Sequence, residues 1–219
     1  MRFRHRSDAG RQLAELLLAF ADQQDVQVLA LPRGGVPVAF EIARRLHAPL
    51  DVWVVRKLCA PEIPELAIGA IAPGGIKLLS PDIIERMRIP PQAVEAIAAR
   101  EYAELERREK AYRGDRPPID VSGKTVILVD DGLATGSTMR AAIASLRQRN
   151  PARIVVAVPV AALPVCAQLR QEGSEVVCLS TPIDLDAVGQ WYDDFTQTSD
   201  AEVCDLLLRA SNFCPPSPP

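Results

Sequence analysis

Runs of apolar residues too short for helices recur along the chain, at 26–31, 126–129, 153–159 and 175–180. Unbroken apolar runs of this length, rich in Val, Ile and Leu, predict strands buried on both faces. A fifth strand is predicted over 50–56, Leu-Asp-Val-Trp-Val-Val-Arg. Between these runs the apolar positions shift to helical spacing. Residues 10–22 place Leu13, Leu16, Leu17 and Phe20 on one face, and further helices are predicted over about 38–47, 91–112, 139–147, 164–172 and 200–209. Strands alternating with helices predict an α/β fold: a doubly wound, mainly parallel five-stranded sheet flanked by helices. Ligands of such sheets sit at the carboxyl ends of the strands, where the strand order reverses.

Three segments depart from that alternation. Over 58–79, Pro61, Glu62, Pro64 and Glu65 open an irregular stretch, a small-residue strand follows at 67–72, and Pro73-Gly74-Gly75 turns into 76–79 as a hairpin. Residues 58–66 read as a lid or as a static connection. A helical insertion spans about 81–114. Ser80 is its expected N-cap, Pro81 its first helical residue, and Glu104–Arg108 and Glu106–Lys110 are pairs at helical spacing. The segment 181–210 gathers aromatics into a small hood, and 214–219, Cys-Pro-Pro-Ser-Pro-Pro, is expected to be a disordered tail. The whole chain, 1–219, reads as a single domain.

Chemistry concentrates at strand ends. After the run at 126–129 come Asp130-Asp131-Gly132-Leu133 and then Ala134-Thr135-Gly136-Ser137-Thr138-Met139, leading into a helix. A loop of small residues lets backbone N–H groups wrap a phosphate, and the helix N-terminus adds positive potential. The adjacent carboxylates accept hydrogen bonds from vicinal ribose hydroxyls. A second strand-to-helix turn, Pro32-Arg33-Gly34-Gly35, combines glycines with a cation able to hold a phosphate; by itself it is an ordinary tight turn. Arg56 and Lys57 end the predicted strand over 50–56 and point to the same rim. Ser122-Gly-Lys-Thr125 precedes its strand instead of following it, so it is a turn and not a nucleotide loop.

The stretch from Val126 to Met139 resembles the phosphoribosyl-pyrophosphate (PRPP) signature of type I phosphoribosyltransferases, with apolar strand, Asp-Asp and small-Thr-Gly-x-Thr in order. The resemblance covers about residues 25–180. It implies transfer of ribosyl 5-phosphate from PRPP to a nitrogenous acceptor with release of pyrophosphate. Asp130 and Asp131 would hold the ribose hydroxyls and, through waters or ribose oxygens, Mg2+. Ala134, Thr135, Gly136, Ser137 and Thr138 would anchor the 5-phosphate, and Arg33, Gly34, Gly35, Arg56 and Lys57 would serve the pyrophosphate. In that family the turn corresponding to 32–35 often carries a cis peptide before a residue other than proline. Lys57 and Glu65 complete the candidate catalytic set, with Glu62 a further candidate. Trp191 and Tyr192 either stack on the acceptor ring or pack the hood. Hypoxanthine-guanine members carry Asp where this chain has Ala134, so a 6-oxopurine acceptor is disfavoured. The family also implies a homodimer and a place in nucleotide metabolism. A PRPP-sensing or nucleotide-sensing regulator on the same fold and a phosphosugar hydrolase are the rival readings.

Composition narrows the partners. The 219 residues are 48% hydrophobic and 24% charged with net charge −3, which gives no global reason to expect nucleic acid or membrane. No stretch is long and apolar enough to span a bilayer, and the basic start, Met1 to Asp8, does not lead into a signal peptide. Five cysteines without a Cys-x-x-Cys spacing predict reduced thiols and a cytoplasmic location. Replacing Asp130 and Asp131 together by Asn is expected to abolish Mg-PRPP binding with the fold intact. Titration calorimetry beside circular dichroism measures both, and unchanged affinity removes the ribose role of the pair.

Overall fold

The computed structural model describes residues 2–114, 116–117, 119–211 and 213, and of Pro64 and Glu65 the backbone alone. The expected tail, 214–219, lies outside the described residues. In chain order the elements are α1 (Arg6–Glu15), a 3-10 turn (Leu18–Phe20), β1 (Val26–Ala30), α2 (Gly35–Leu46), β2 (Leu50–Val52), β3 (Arg56–Ala60), β4 (Ile63–Ala72), β5 (Ile76–Leu79), α3 (Pro81–Arg86), α4 (Pro91–Arg113), β6 (Thr125–Val129), α5 (Ser137–Arg147), β7 (Arg153–Val160), α6 (Leu163–Gln171), β8 (Glu175–Ser180), a second 3-10 turn (Val188–Trp191) and α7 (Asp200–Ala210).

The expected five-stranded parallel sheet forms, in the order β2-β1-β6-β7-β8. Every residue of β1 and β6 is buried because both sheet faces are covered. Val28, Ala30, Ile127 and Val129 face one layer with residues of α1, α2 and α7. Leu29, Val126 and Leu128 face the other, against Met139, Ile143 and Leu146 of α5 and Val165 and Leu169 of α6. Full burial of each such side chain contributes about 1.5–3 kcal/mol. The chain runs from β1 to one side and from β6 to the other, so the strand order reverses between them and their carboxyl ends open a crevice.

The strand expected over 50–56 breaks in two. Val52 pairs with Ala30 as the last residue of β2, and buried Trp53 turns its indole N–H onto Ser145 Oγ at 2.8 Å. That anchor ends the ladder, and Arg56 opens a separate antiparallel sheet, β3-β4-β5. Arg56 and Lys57 therefore begin an arm instead of ending a core strand. Much of 58–66 is strand, with Ala60 opposite Ile63 across a tight turn. The β3–β4 register slips twice, as fits a segment bearing prolines. Ion pairs from Arg56 to Glu101 (2.6 Å) and from Lys77 to Glu95 (2.7 Å) fasten the arm to α4, and Arg149, just beyond α5, donates to Pro73 O at 3.1 Å.

The helices start or stop differently from the periodicity. α1 begins at Arg6 because His5 Nδ1 accepts from Asp8 N at 3.2 Å, an N-cap outside the usual set. Ser80 makes no side-chain cap bond, although Pro81 is the first residue of α3 as expected. Glu104 pairs with Arg108 at 2.7 Å, whereas no Glu106–Lys110 pair forms among the described residues; exposed pairs of this kind add little. The hood takes its second half from the N-terminus: Phe3 bridges to Tyr192, and Asp193 N donates to Phe3 O at 2.8 Å. No helix among the described residues is long and apolar enough to cross a membrane.

The end of α4 is tied to β2 by a buried cation. Arg113 Nε contacts both Asp51 oxygens at 3.1 and 3.0 Å, Nη1 donates to Glu109 at 2.6 Å and Nη2 to Val52 O at 2.7 Å. Arg113→Met should destabilise the fold by about 3–5 kcal/mol, because Asp51 is left buried without its partner, and adding Asp51→Leu should recover much of the loss. Urea unfolding midpoints of the single and double variants measure this.

Candidate functional site

The site forms where β1 and β6 end. From Val129 the chain passes through Asp130 and Asp131, and Leu133 N bonds back to Val160 O at 2.9 Å before the loop turns into α5. Gly136 takes the left-handed conformation (φ 69°) that starts this helix, which favours glycine. Ala134, Thr135, Ser137 and Thr138 line a cavity of about 200 Å³ with Asp130 and Val188. The first amides of a helix have no partner within it, so an anion is the ligand this cradle suits.

The two carboxylates are held from several directions. Asp131 N donates to Asp130 Oδ1 at 2.9 Å, Arg6 Nε donates to Asp131 Oδ2 at 2.8 Å, and the Tyr192 hydroxyl donates to Asp131 O at 2.6 Å. Burial pushes both carboxyls above their ordinary range. Asp130 is raised well above it, with the neighbouring Asp131 adding to the rise, whereas Arg6 pulls Asp131 back down. The turn after β1 presses against the pair. A Cβ on Gly34 would lie 2.0 Å from Asp131 Oδ2, and one on Gly35 would lie 2.7 Å from Val129 O. The Pro32–Arg33 peptide is cis, as the resemblance implied.

The sequence-predicted residues divide into those at the crevice and those elsewhere. Gly34, Gly35, Asp130, Asp131 and the loop from Ala134 to Thr138 come together. Arg33 stands at the adjoining α7, 3.8 Å from Asp200, which also accepts the Tyr112 hydroxyl at 2.6 Å. Burial and this bond raise the Tyr112 phenol to about 12. Lys57 is exposed and shares a cavity of about 230 Å³ with Ser137 and Arg140, beside the start of α5. Arg56 is turned onto Glu101 with two bonds of 2.9 and 2.6 Å, so its cation is engaged by α4 and not offered to the crevice. Glu62 is exposed at the tip of the arm, and the Glu65 side chain lies outside the described residues.

Of the two uses open to Tyr192, packing is the one found. Its ring is 2% exposed, stacked on Phe195 at 5.0 Å and beside Phe3 at 5.5 Å, so no face is free for an acceptor. Trp191 is half-buried in the same cluster. Arg6 is the residue that sequence reasoning missed. In the chain it is one of several cations near the N-terminus; in the fold its side chain is 10% exposed and paired with Asp131. Among the described residues, Cys59, Cys166, Cys178 and Cys204 are free thiols, and no group of three or more His, Cys, Asp or Glu is arranged to hold a metal.

The matches to known proteins define first a class and then a family. The structure superposes on the crystal structure of TT1426 from Thermus thermophilus with TM-score 0.83 and 46% identity, covering 95% of this chain and 99% of that one. Residues 5–188 match the family described as "Phosphoribosyl transferase domain", and the chain belongs to that family. A Mycobacterium tuberculosis H37Rv protein named "Putative phosphoribosyl transferase Rv0571c" is 46% identical over 208 residues, 95% of this chain and 47% of that protein. "Bifunctional protein PyrR" of Roseiflexus sp. RS-1 is 34% identical over 124 residues, covering 55% of this chain and 62% of its own length. The chain thus spans about half the length of the mycobacterial relative it matches.

Gly34→Ala tests the crowding around the acid pair. Its methyl group needs the space of Asp131 Oδ2, which Arg6 keeps from moving away freely. Mg-PRPP affinity is expected to fall by about tenfold or more, since displacing a charged hydrogen-bond acceptor costs more than about 1.4 kcal/mol. Calorimetric titration checks it.

Proposed function

We propose that this chain transfers the ribosyl 5-phosphate of PRPP to a nitrogenous acceptor and releases pyrophosphate. The observation that carries this reading is the buried Asp130–Asp131 pair at the reversal of strand order, followed directly by a small-residue cradle at a helix N-terminus. Family membership supports it independently.

Each part of the crevice has a task. The loop from Ala134 to Thr138 binds the 5-phosphate, and this remote binding positions the sugar for reaction. Asp130 and Asp131, whose carboxyls also bond to each other, accept the ribose hydroxyls through their remaining lone pairs. Negative charge beneath the sugar favours the oxocarbenium-like character that develops at C1 as the C1–O bond to pyrophosphate breaks. Arg33 and Lys57 offset the charge on the departing pyrophosphate. A nitrogen lone pair of the acceptor then forms the new bond to C1.

The donor set suits Mg2+ bound chiefly through substrate oxygens. It offers one carboxylate pair and no cage of ligands, the usual manner of Mg2+ at phosphates. Bound there, the ion would offset negative charge on the pyrophosphate, with Asp130 and Asp131 holding it through waters or ribose oxygens. Ala134 supplies no carboxylate for a 6-oxopurine ring nitrogen, which supports another base, such as an amino-purine. The β3–β4 turn around Glu62, which shares a small cavity with Met87 to Pro90, is the segment proposed to close over the reactants.

The deciding assay is pyrophosphate release from Mg-PRPP with and without a panel of purines, pyrimidines and simple amines. Release that depends on one acceptor is expected. Release without any acceptor, above a metal-only blank, would replace transfer by hydrolysis. Tight binding without release across the panel would favour a PRPP-sensing regulator.

A further inference from the structure

We infer that Arg6 is a positioning residue of the sugar site: it fixes one oxygen of Asp131 so that the other is preset for a ribose hydroxyl, and it thereby makes the hood part of sugar recognition. The inference rests on the PRPP reading above and adds to it a residue outside the signature motif.

Three contacts hold the guanidinium. Nε donates to Asp131 Oδ2 at 2.8 Å, Nη1 donates to Thr196 O at 2.8 Å, and Cζ lies 3.8 Å from the centroid of the Phe195 ring. A planar fork with an aromatic face beneath it has little freedom to turn. Gly34 crowds the same carboxylate oxygen, so close that a Cβ there would lie 2.0 Å from it and 3.3 Å from Arg6 Nε. Asp131 Oδ2 is therefore packed against both Arg6 and the β1–α2 turn. Tyr192, from the hood segment that also holds Phe195 and Thr196, grips the Asp131 carbonyl. Side chain and backbone of one acid are thus both fixed by the hood and the start of α1.

A purely structural ion pair is a poor account of this arrangement. Buried ion pairs contribute little net stability, and well-packed apolar residues would serve the fold as well. What the pair does supply is orientation: with Oδ2 held by Arg6 and the Asp130 carboxyl beside it, the Asp131 carboxylate keeps one plane. An acceptor held before the sugar arrives costs no ordering on binding. Arg33 and Lys57, the cations given to the pyrophosphate, make no ion pair or hydrogen bond with Arg6 among the described residues, so pyrophosphate should depend on Arg6 far less than the sugar does.

The test compares three ligands on the full chain by titration calorimetry: Mg-PRPP, ribose 5-phosphate and magnesium pyrophosphate. Arg6→Gln is expected to weaken Mg-PRPP and ribose 5-phosphate by about tenfold or more and to change pyrophosphate by less than about twofold. Arg6→Lys, which keeps the charge and a donor, should recover part of the loss; if Arg6→Gln does not fold, this variant carries the comparison and should show the same split. In an Asp131→Asn background, Arg6→Gln should cost nothing further. Equal loss for all three ligands, or unchanged ribose 5-phosphate affinity, would overturn the positioning role while leaving the PRPP reading in place. If the wild-type chain binds neither Mg-PRPP nor ribose 5-phosphate, the PRPP reading fails and takes this inference with it.

Discussion

Two neighbouring carboxylates withdrawn from water at the end of a buried strand set the terms for everything around them. Burial disfavours ionisation of both, and Asp131 disfavours that of Asp130 further, so the pair persists only where donors and a cation are supplied. β6 delivers Asp130 and Asp131 to this place, and the Asp131 amide and the Arg6 guanidinium donate to their carboxylates, while the Tyr192 hydroxyl holds the Asp131 carbonyl. Arg6 and Asp131 are 125 residues apart, so the compensation joins the start of the chain to its middle. The glycines after β1 belong to the same solution, since larger residues would hold the β1–α2 turn away from the acids.

A division of labour follows from how the two sheets are built. The parallel sheet is covered on both faces, and its crevice is as rigid as its core. The antiparallel arm is fastened at Arg56 and Lys77 to α4 and at Pro73 to the segment after α5, and its β3–β4 turn lies beside Met87 to Pro90. A small-residue loop at the carboxyl edge of a sheet covered on both faces, with an antiparallel arm beside it, is an arrangement suited to group transfer, in which water must be kept from the reacting centre. Belonging to the phosphoribosyl transferase domain family places this arrangement among proteins of that chemistry. The likeness to TT1426 across nearly the whole of both chains adds that the arm and hood belong to the common architecture.

Much of this was legible in the sequence, because strand, helix and phosphate loop are local patterns. Unbroken apolar runs, the 3.6-residue period and runs of small residues are written in consecutive positions, so five parallel strands, their alternating helices and the loop from Ala134 to Thr138 could be read directly. The site's glycines were legible for a related reason: a turn that must approach another backbone tolerates few residue types. Boundaries were less so. The strand over 50–56 looked continuous because its residues are mostly apolar, and only the seating of Trp53 on Ser145 divides it.

What the sequence by itself determined, then, is the α/β class, the place of the acid pair at a strand end and the small-residue loop that opens α5, all set by residues within one turn or strand of each other. Tertiary structure alone decided which distant side chains serve that pair. It drew Arg6 from among several N-terminal cations, turned Arg56 away onto Glu101, and put Tyr192 into the packing beneath Asp131. The reason is physical: hydropathy and propensity act through neighbours in the chain, whereas the partner of a buried charge is chosen by the packing of whole elements, and no local pattern records that choice.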